Sequence, residues 1–153
     1  MSPIFTRGLI VTAILLVLGV VNASIHAKEH IKAHGETILL ELAPVDPRSL
    51  MQGDYMALRF TLANDLGTEQ GGAAPLAVNE QGVATLSQSP ATSKLRIRYR
   101  VRNGQVWLGT NAYFFEEGSA DRYARARYGE FRVDRDTGEA VLVGLRDAEF
   151  GPL

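Results

Sequence analysis

Lys94-Leu95-Arg96-Ile97-Arg98-Tyr99-Arg100-Val101-Arg102 alternates charged and apolar residues without a break. A period of two is the mark of a half-buried strand. Leu95, Ile97, Tyr99 and Val101 form the face that seeks a core. Lys94, Arg96, Arg98, Arg100 and Arg102 form the other, with neighbouring cations ~6.7 Å apart. Asn103-Gly104 follows, a pair suited to the positive φ angles of a type I′ turn, and Gln105-Val106-Trp107-Leu108-Gly109 returns from it. The core of this region is therefore a β-hairpin with one strongly basic face.

The same reading extends outward. Thr37 to Leu42, Asp54 to Leu62, Val83 to Leu86 and Ala112 to Glu116 read as strands, and Tyr128 to Asp134 and Glu139 to Leu145 as a hairpin around Arg135-Asp136-Thr137-Gly138. Ser119 is placed to cap a short helix through Arg125. Pro44 and Pro47 make residues 43–52 a shaped loop. Ala63 to Gln81, rich in Gly, Ala and Asn, reads as a long mobile connection. No segment repeats. Seven or eight strands with one short helix predict a mainly β fold, a compact antiparallel barrel or sandwich.

Before this domain comes an apolar segment. Gly8 to Ile25 is an uncharged run of 18 residues. As a helix it spans ~27 Å, enough to cross a hydrocarbon core. A cleaved signal peptide with processing after Ala23 is the competing reading. The length of the run and the single cation of the preceding segment, Arg7, favour a retained transmembrane anchor. The expected organisation is a cytoplasmic tail over 1–7, a transmembrane helix over 8–25, a juxtamembrane helix over 26–35 ended by Gly35, and a β domain over 36–153. A short N-terminal tail before a large domain favours an extracytoplasmic domain, although Lys28 and Lys32 compete with Arg7 in the charge rule.

The motif Gly53-Asp54-Tyr55-Met56-Ala57-Leu58-Arg59-Phe60, after the loop Ala43 to Gln52, resembles the GDYXXLXY family of bacterial membrane-anchored proteins. Phe60 stands where the family usually has a second Tyr. Arg125-Ala126-Arg127-Tyr128-Gly129-Glu130-Phe131-Arg132-Val133 also resembles the family. The resemblance implies a bacterial inner-membrane protein with its domain in the periplasm, and offers a multi-pass membrane protein as partner. It carries no reaction with it. The membrane layout and the Gly-Asp turn are also similar to type I signal peptidases. Val45 occupies the position where that family carries its serine nucleophile, so the Ser-Lys mechanism has no foundation here.

Two groups of candidate binding residues emerge. Strand alternation puts Met56, Leu58, Phe60 and Leu62 on a core face, and Tyr55 and Arg59 on the other. Asp46, Arg48 and Asp54 lie in the adjacent loop and can join Tyr55 and Arg59 in either a salt-bridged loop or a polar pocket. The second group is Arg96, Arg98 and Arg100. No acid occurs between Glu80 and Glu116, so the stripe needs a partner. Glu116, Glu130, Asp134 and Glu139 are the intramolecular choices. An anionic ligand or lipid head groups are the external ones.

Net charge is −1, which gives no global field for nucleic acid. The absence of cysteine excludes disulfides, thiol chemistry and Cys-ligated metal. His26, His30 and His34 form one helical stripe. The third ring lies too far along to join a metal held by the first two, so neither a metal site nor a cofactor is expected. The expected role is an extracytoplasmic binding or accessory domain, attached to the bilayer by its helix. A periplasmic enzyme or ligand sensor using Asp46, Arg48, Asp54 and Tyr55 is the alternative.

Overall fold

The computed structural model describes residues 3–43, 51–52 and 55–153. A single helix, α1 (Pro3–His34), runs without interruption through the apolar segment and the juxtamembrane stretch. Its 32 residues extend about 48 Å, well beyond the ~30 Å of a hydrocarbon core. Thr6–His34 contains a window of mean hydropathy 2.4, none of it buried in the protein. That helix is long and apolar enough to cross a membrane.

Gly35 ends the helix by close approach rather than by a left-handed turn. A Cβ there would stand 2.5 Å from the Ile31 carbonyl oxygen and 3.1 Å from the Arg132 Cβ. The last turn packs on the domain through buried Ile31, and the Arg132 guanidinium donates to the Gly35 carbonyl at 3.1 Å.

The rest is mainly β. The strands are β1 (Glu36–Glu41), β2 (Met51–Gln52), β3 (Tyr55–Ala57), β4 (Gly72–Val78), β5 (Ala84–Leu86), β6 (Leu95–Arg102), β7 (Gln105–Trp107), β8 (Ala112–Phe114), β9 (Tyr128–Val133) and β10 (Ala140–Arg146). A 3-10 turn (Thr61–Asp65) and a one-turn helix, α2 (Ala120–Tyr123), complete the order. The sheets run β1-β9-β10, β2-β3-β8 and β5-β4-β6-β7, with antiparallel pairing throughout.

Local contacts weld these sheets into a curled half-barrel. On one side Leu39 bridges Val83 and its amide donates to the Gly82 carbonyl. On the other side, beyond the end of β7, the Arg98 amide donates to the Gly138 carbonyl at 2.6 Å. The β2-β3-β8 sheet joins through the Leu42–Phe60 bridge and the Ala43 amide on the Arg59 carbonyl.

The β6 alternation holds residue by residue, from buried Leu95 and Ile97 to exposed Arg96, Arg98, Arg100 and Arg102. The turn after it has Asn103 at φ 51° and Gly104 at φ 71°, the two positive angles its sequence demands.

Two expectations are corrected. The strand expected over Asp54 to Leu62 stops at Ala57, because the chain leaves β8 at that point to bridge β1 at Phe60 and then tightens into the 3-10 turn. Met56, Leu58, Phe60 and Leu62 still fall in the core, the last by the turn instead of by alternation. The expected mobile connection over Ala63 to Gln81 contains β4. Its Gly, Ala and Pro content argues against a strand, but pairing on both sides and burial of Ala74 and Leu76 override that propensity. Pro75 sits where the β4–β5 ladder ends: its carbonyl accepts from the Ser87 amide, and the missing N–H falls at the last position.

The core is knitted at Phe60 and Phe131, whose rings meet edge to face with centroids 5.2 Å apart. Both are essentially inaccessible. Gly129 makes the room: a Cβ on it would lie 2.8 Å from the Phe60 ring, 3.1 Å from the Phe131 ring and 3.2 Å from Leu142. Gly129→Ala is expected to lower stability by about 1–3 kcal/mol through overpacking, and the penalty should shrink in a Phe60→Leu background because the two sites share one space. Thermal unfolding of the four proteins of this cycle checks both outcomes.

Candidate functional site: a cationic cleft beside the N-terminal helix

β6 and β10 are held together at the Arg98–Gly138 hydrogen bond and diverge beyond it. The gap becomes a cleft of about 720 Å³, with α1 along one side through Ser24, Ala27 and Lys28. β6 contributes Arg98, Arg100 and Arg102, β7 contributes Trp107, and the β9–β10 hairpin contributes Glu139 to Leu142. Burying the apolar face of β6 forces its cations outward, and the course of α1 turns three of them toward the helix.

One acid enters the cleft. Glu139 accepts from Lys28 Nζ at 2.7 Å and lies 3.9 Å from the Arg98 guanidinium. The hydrogen bond from Lys28 is the main cause that holds the Glu139 carboxyl below its ordinary 4.5; burial opposes it, and the charges of Lys28, Arg98 and Arg100 add to it. Glu139 is therefore ionised at neutral pH. Lys28, Arg98, Arg100 and Arg102 against one carboxylate leave the cleft at +3. The Arg102 guanidinium lies over the Trp107 ring at 5.6 Å.

The other acids named as partners of the stripe are engaged elsewhere or show no ion pair. Glu130 takes Arg146 at 2.8 Å. Asp134 caps the β9–β10 turn, accepting from the Thr137 amide at 2.7 Å, the Thr137 hydroxyl at 2.9 Å and the Asp136 amide at 3.0 Å. The bonds from Thr137 hold its carboxyl below the ordinary 3.8. Glu116 makes no ion pair among the described residues. Arg96 is exposed on the same face of β6 but lies outside the cleft.

The motif residues sit elsewhere. Asp46, Arg48 and Asp54 lie outside the described residues. Tyr55 is half-buried on β3, with its ring 5.6 Å from that of Phe114, which is 75% exposed on the edge strand β8. Arg59 is exposed and borders a second cleft of about 560 Å³ together with Leu58, Phe60 and Leu66. Trp107 is the residue common to the two clefts. The structure thus separates the two candidate groups. On α1, the His30 and His34 rings stack at 4.5 Å.

Lys28, Arg102, Trp107 and Glu139 belong to the site although sequence reading did not assign them to it. Arg102 was legible in the stripe and Glu139 as a candidate acid. Nothing local signals that Lys28, far away in sequence, meets them.

A family model described as "GDYXXLXY protein" matches residues 17–145. The chain belongs to the GDYXXLXY family. The matched region takes in the second half of α1 and nearly all of the β domain, so the family is defined by the helix and the domain together. No curated protein and no solved structure matches the chain. In this member the second aromatic of the motif is Phe60, and its place in the core, against Phe131 of the other family-like stretch, leaves a ring and not a hydroxyl as what the position contributes.

Glu139 and Asp134 titrate lower when folded than when unfolded, so folding favours their charged forms. Their contribution is present above the ordinary values of 4.5 and 3.8 and is lost as pH falls through and below them. Glu139→Gln should cost about 0.5 kcal/mol at neutral pH, the worth of a largely exposed pair. Melting temperatures of wild type and Glu139→Gln should converge as pH is lowered below 4.

Proposed function

We propose that this chain is a single-pass, membrane-anchored binding domain on the periplasmic side of a bacterial inner membrane. It acts as an accessory subunit of a multi-pass membrane protein, and its cleft receives an anionic group. The observation that carries this reading is the +3 cleft between the β domain and an apolar helix whose span is not buried in the protein. The exposed span, with Leu15 and Leu16 each 64% accessible, supports both the bilayer and the helices of a larger protein as its surroundings.

The chemistry of the cleft supports binding over catalysis. A guanidinium does not release its proton at neutral pH. Three of the five ionisable cleft groups are arginines, and the other two, Lys28 and Glu139, are bonded to each other. Such a set fixes a negative charge and does not shuttle protons.

The full-length chain is to be recovered from carbonate-washed membranes into neutral detergent and titrated with glycerol 3-phosphate. The protein should stay in the membrane pellet at full length. Binding should weaken with salt, because the screening length falls from about 10 Å at 0.1 M to about 3 Å at 1 M, and should vanish in Arg98→Gln/Arg100→Gln. A mature N-terminus at Ser24, or no binding at low salt, contradicts the reading.

A further inference from the structure

The geometry points to an anionic phospholipid of the bilayer around α1 as the occupant of the cationic cleft, with its phosphate on Arg98, Arg100 and Lys28. This rests on the binding role proposed above and names the ligand class.

Height is the first argument. The uncharged run ends at Ile25, and Lys28 follows three residues later, ~4.5 Å further along the axis. The helix side of the cleft is made by Ser24, Ala27 and Lys28, which straddle that boundary. A phosphate at head-group level therefore stands opposite the cleft already, and an acidic protein loop would have to be brought there. Trp107, with an apolar body and one N–H donor, suits the same level.

The donors are the second argument. The Arg98 side chain is 57% exposed, and among the described residues its one ion-pair contact is the long 3.9 Å approach to Glu139. Arg100 is exposed and makes no ion pair among the described residues. Two guanidinium forks without a close carboxylate match the oxygens of a phosphodiester. A net +3 remains after Glu139 is counted, so a monoanion is accommodated without burying an unpaired negative charge.

Continuity with an apolar surface is the third. A depression of about 280 Å³ beside α1 is lined by Ile25, Glu29, Lys32 and Val141, and shares Ser24, Lys28 and Val141 with the cleft. Its surface is almost entirely apolar. The depression lies on the domain side of the end of the uncharged run, so the glycerol part of a phospholipid head group, and not its acyl chains, covers it; a free phosphate covers only the cleft.

Native mass spectrometry of the full-length chain in neutral detergent tests this, with phosphatidylglycerol, phosphatidylcholine and glycerol 3-phosphate as separate probes. Phosphatidylglycerol should be retained over phosphatidylcholine. Arg98→Gln/Arg100→Gln should weaken its binding roughly thirtyfold, the effect of two juxtamembrane cations. Arg96→Gln removes a charge from the same strand face outside the cleft and should leave binding unchanged. Arg98→Lys/Arg100→Lys keeps the charge but loses the forked donors and should weaken binding less than the Gln pair; Arg100→Gln alone serves in place of that pair should it unfold. Equal retention of the two lipids overturns the inference. If glycerol 3-phosphate still binds in that preparation, the anion-binding role survives; if it does not, both fall. An equal loss in Arg96→Gln also overturns the inference, because it shows a diffuse surface field.

Discussion

The contact of Phe60 with Phe131 above Gly129 is the constraint on which the other parts depend. It joins the motif segment to the β9 strand at the one place where β9 carries no side chain to obstruct it. Phe60 reaches that place only because the chain leaves β8 after Ala57 and bridges β1 at Leu42. The same contact seats β9 and β10 against the rest of the core, and so sets where Gly138 meets the edge of β6. A side chain at 129 would push these elements apart along the line from which the cleft opens.

The cleft is a by-product of burial. Leu95 and Ile97 turn inward for the apolar area they remove from water, and the arginines between them have no other direction to take. On an ordinary outer sheet face such cations are matched by acids on the neighbouring strand. Here β4 and β7 offer none, and Glu139 reaches the stripe from β10's side while holding Lys28. One acid thus ties α1 to the domain, and its single charge, 3.9 Å from Arg98, leaves most of the stripe uncompensated. The charge imbalance and the position of α1 have the same structural origin.

Features with a local cause were legible in the sequence. The nine-residue alternation from Lys94 to Arg102 defines β6, Asn103-Gly104 its turn, and the uncharged run the helix, because each is decided by neighbours in the chain. β4 was not legible, since Gly72, Ala73, Ala74 and Pro75 have little intrinsic reason to extend and do so because β6 pairs along them, with β5 taking over from Leu76. The end of β3 at Ala57 was hidden for the same reason: Leu58 and Phe60 alternate as in a strand while bonding to different sheets. Half of the site was visible as a stripe. Trp107 lies on the return strand of the same hairpin and Glu139 was one of four candidate acids, whereas Lys28 is distant in sequence and meets them only through the packing of α1 on the closed sheet.

Trp107 is the single tryptophan of the chain and stands where the cationic cleft meets the second cleft, so its fluorescence reports the depth of that wall of the cationic cleft. The decisive measurement is quenching of that fluorescence in the full-length protein reconstituted into bilayers carrying a quencher on the lipid head group or deep on the acyl chain. A cleft set at the membrane surface predicts strong quenching from the head group and weak quenching from the acyl position. Quenching by neither would place the cleft clear of the bilayer and contradict the account.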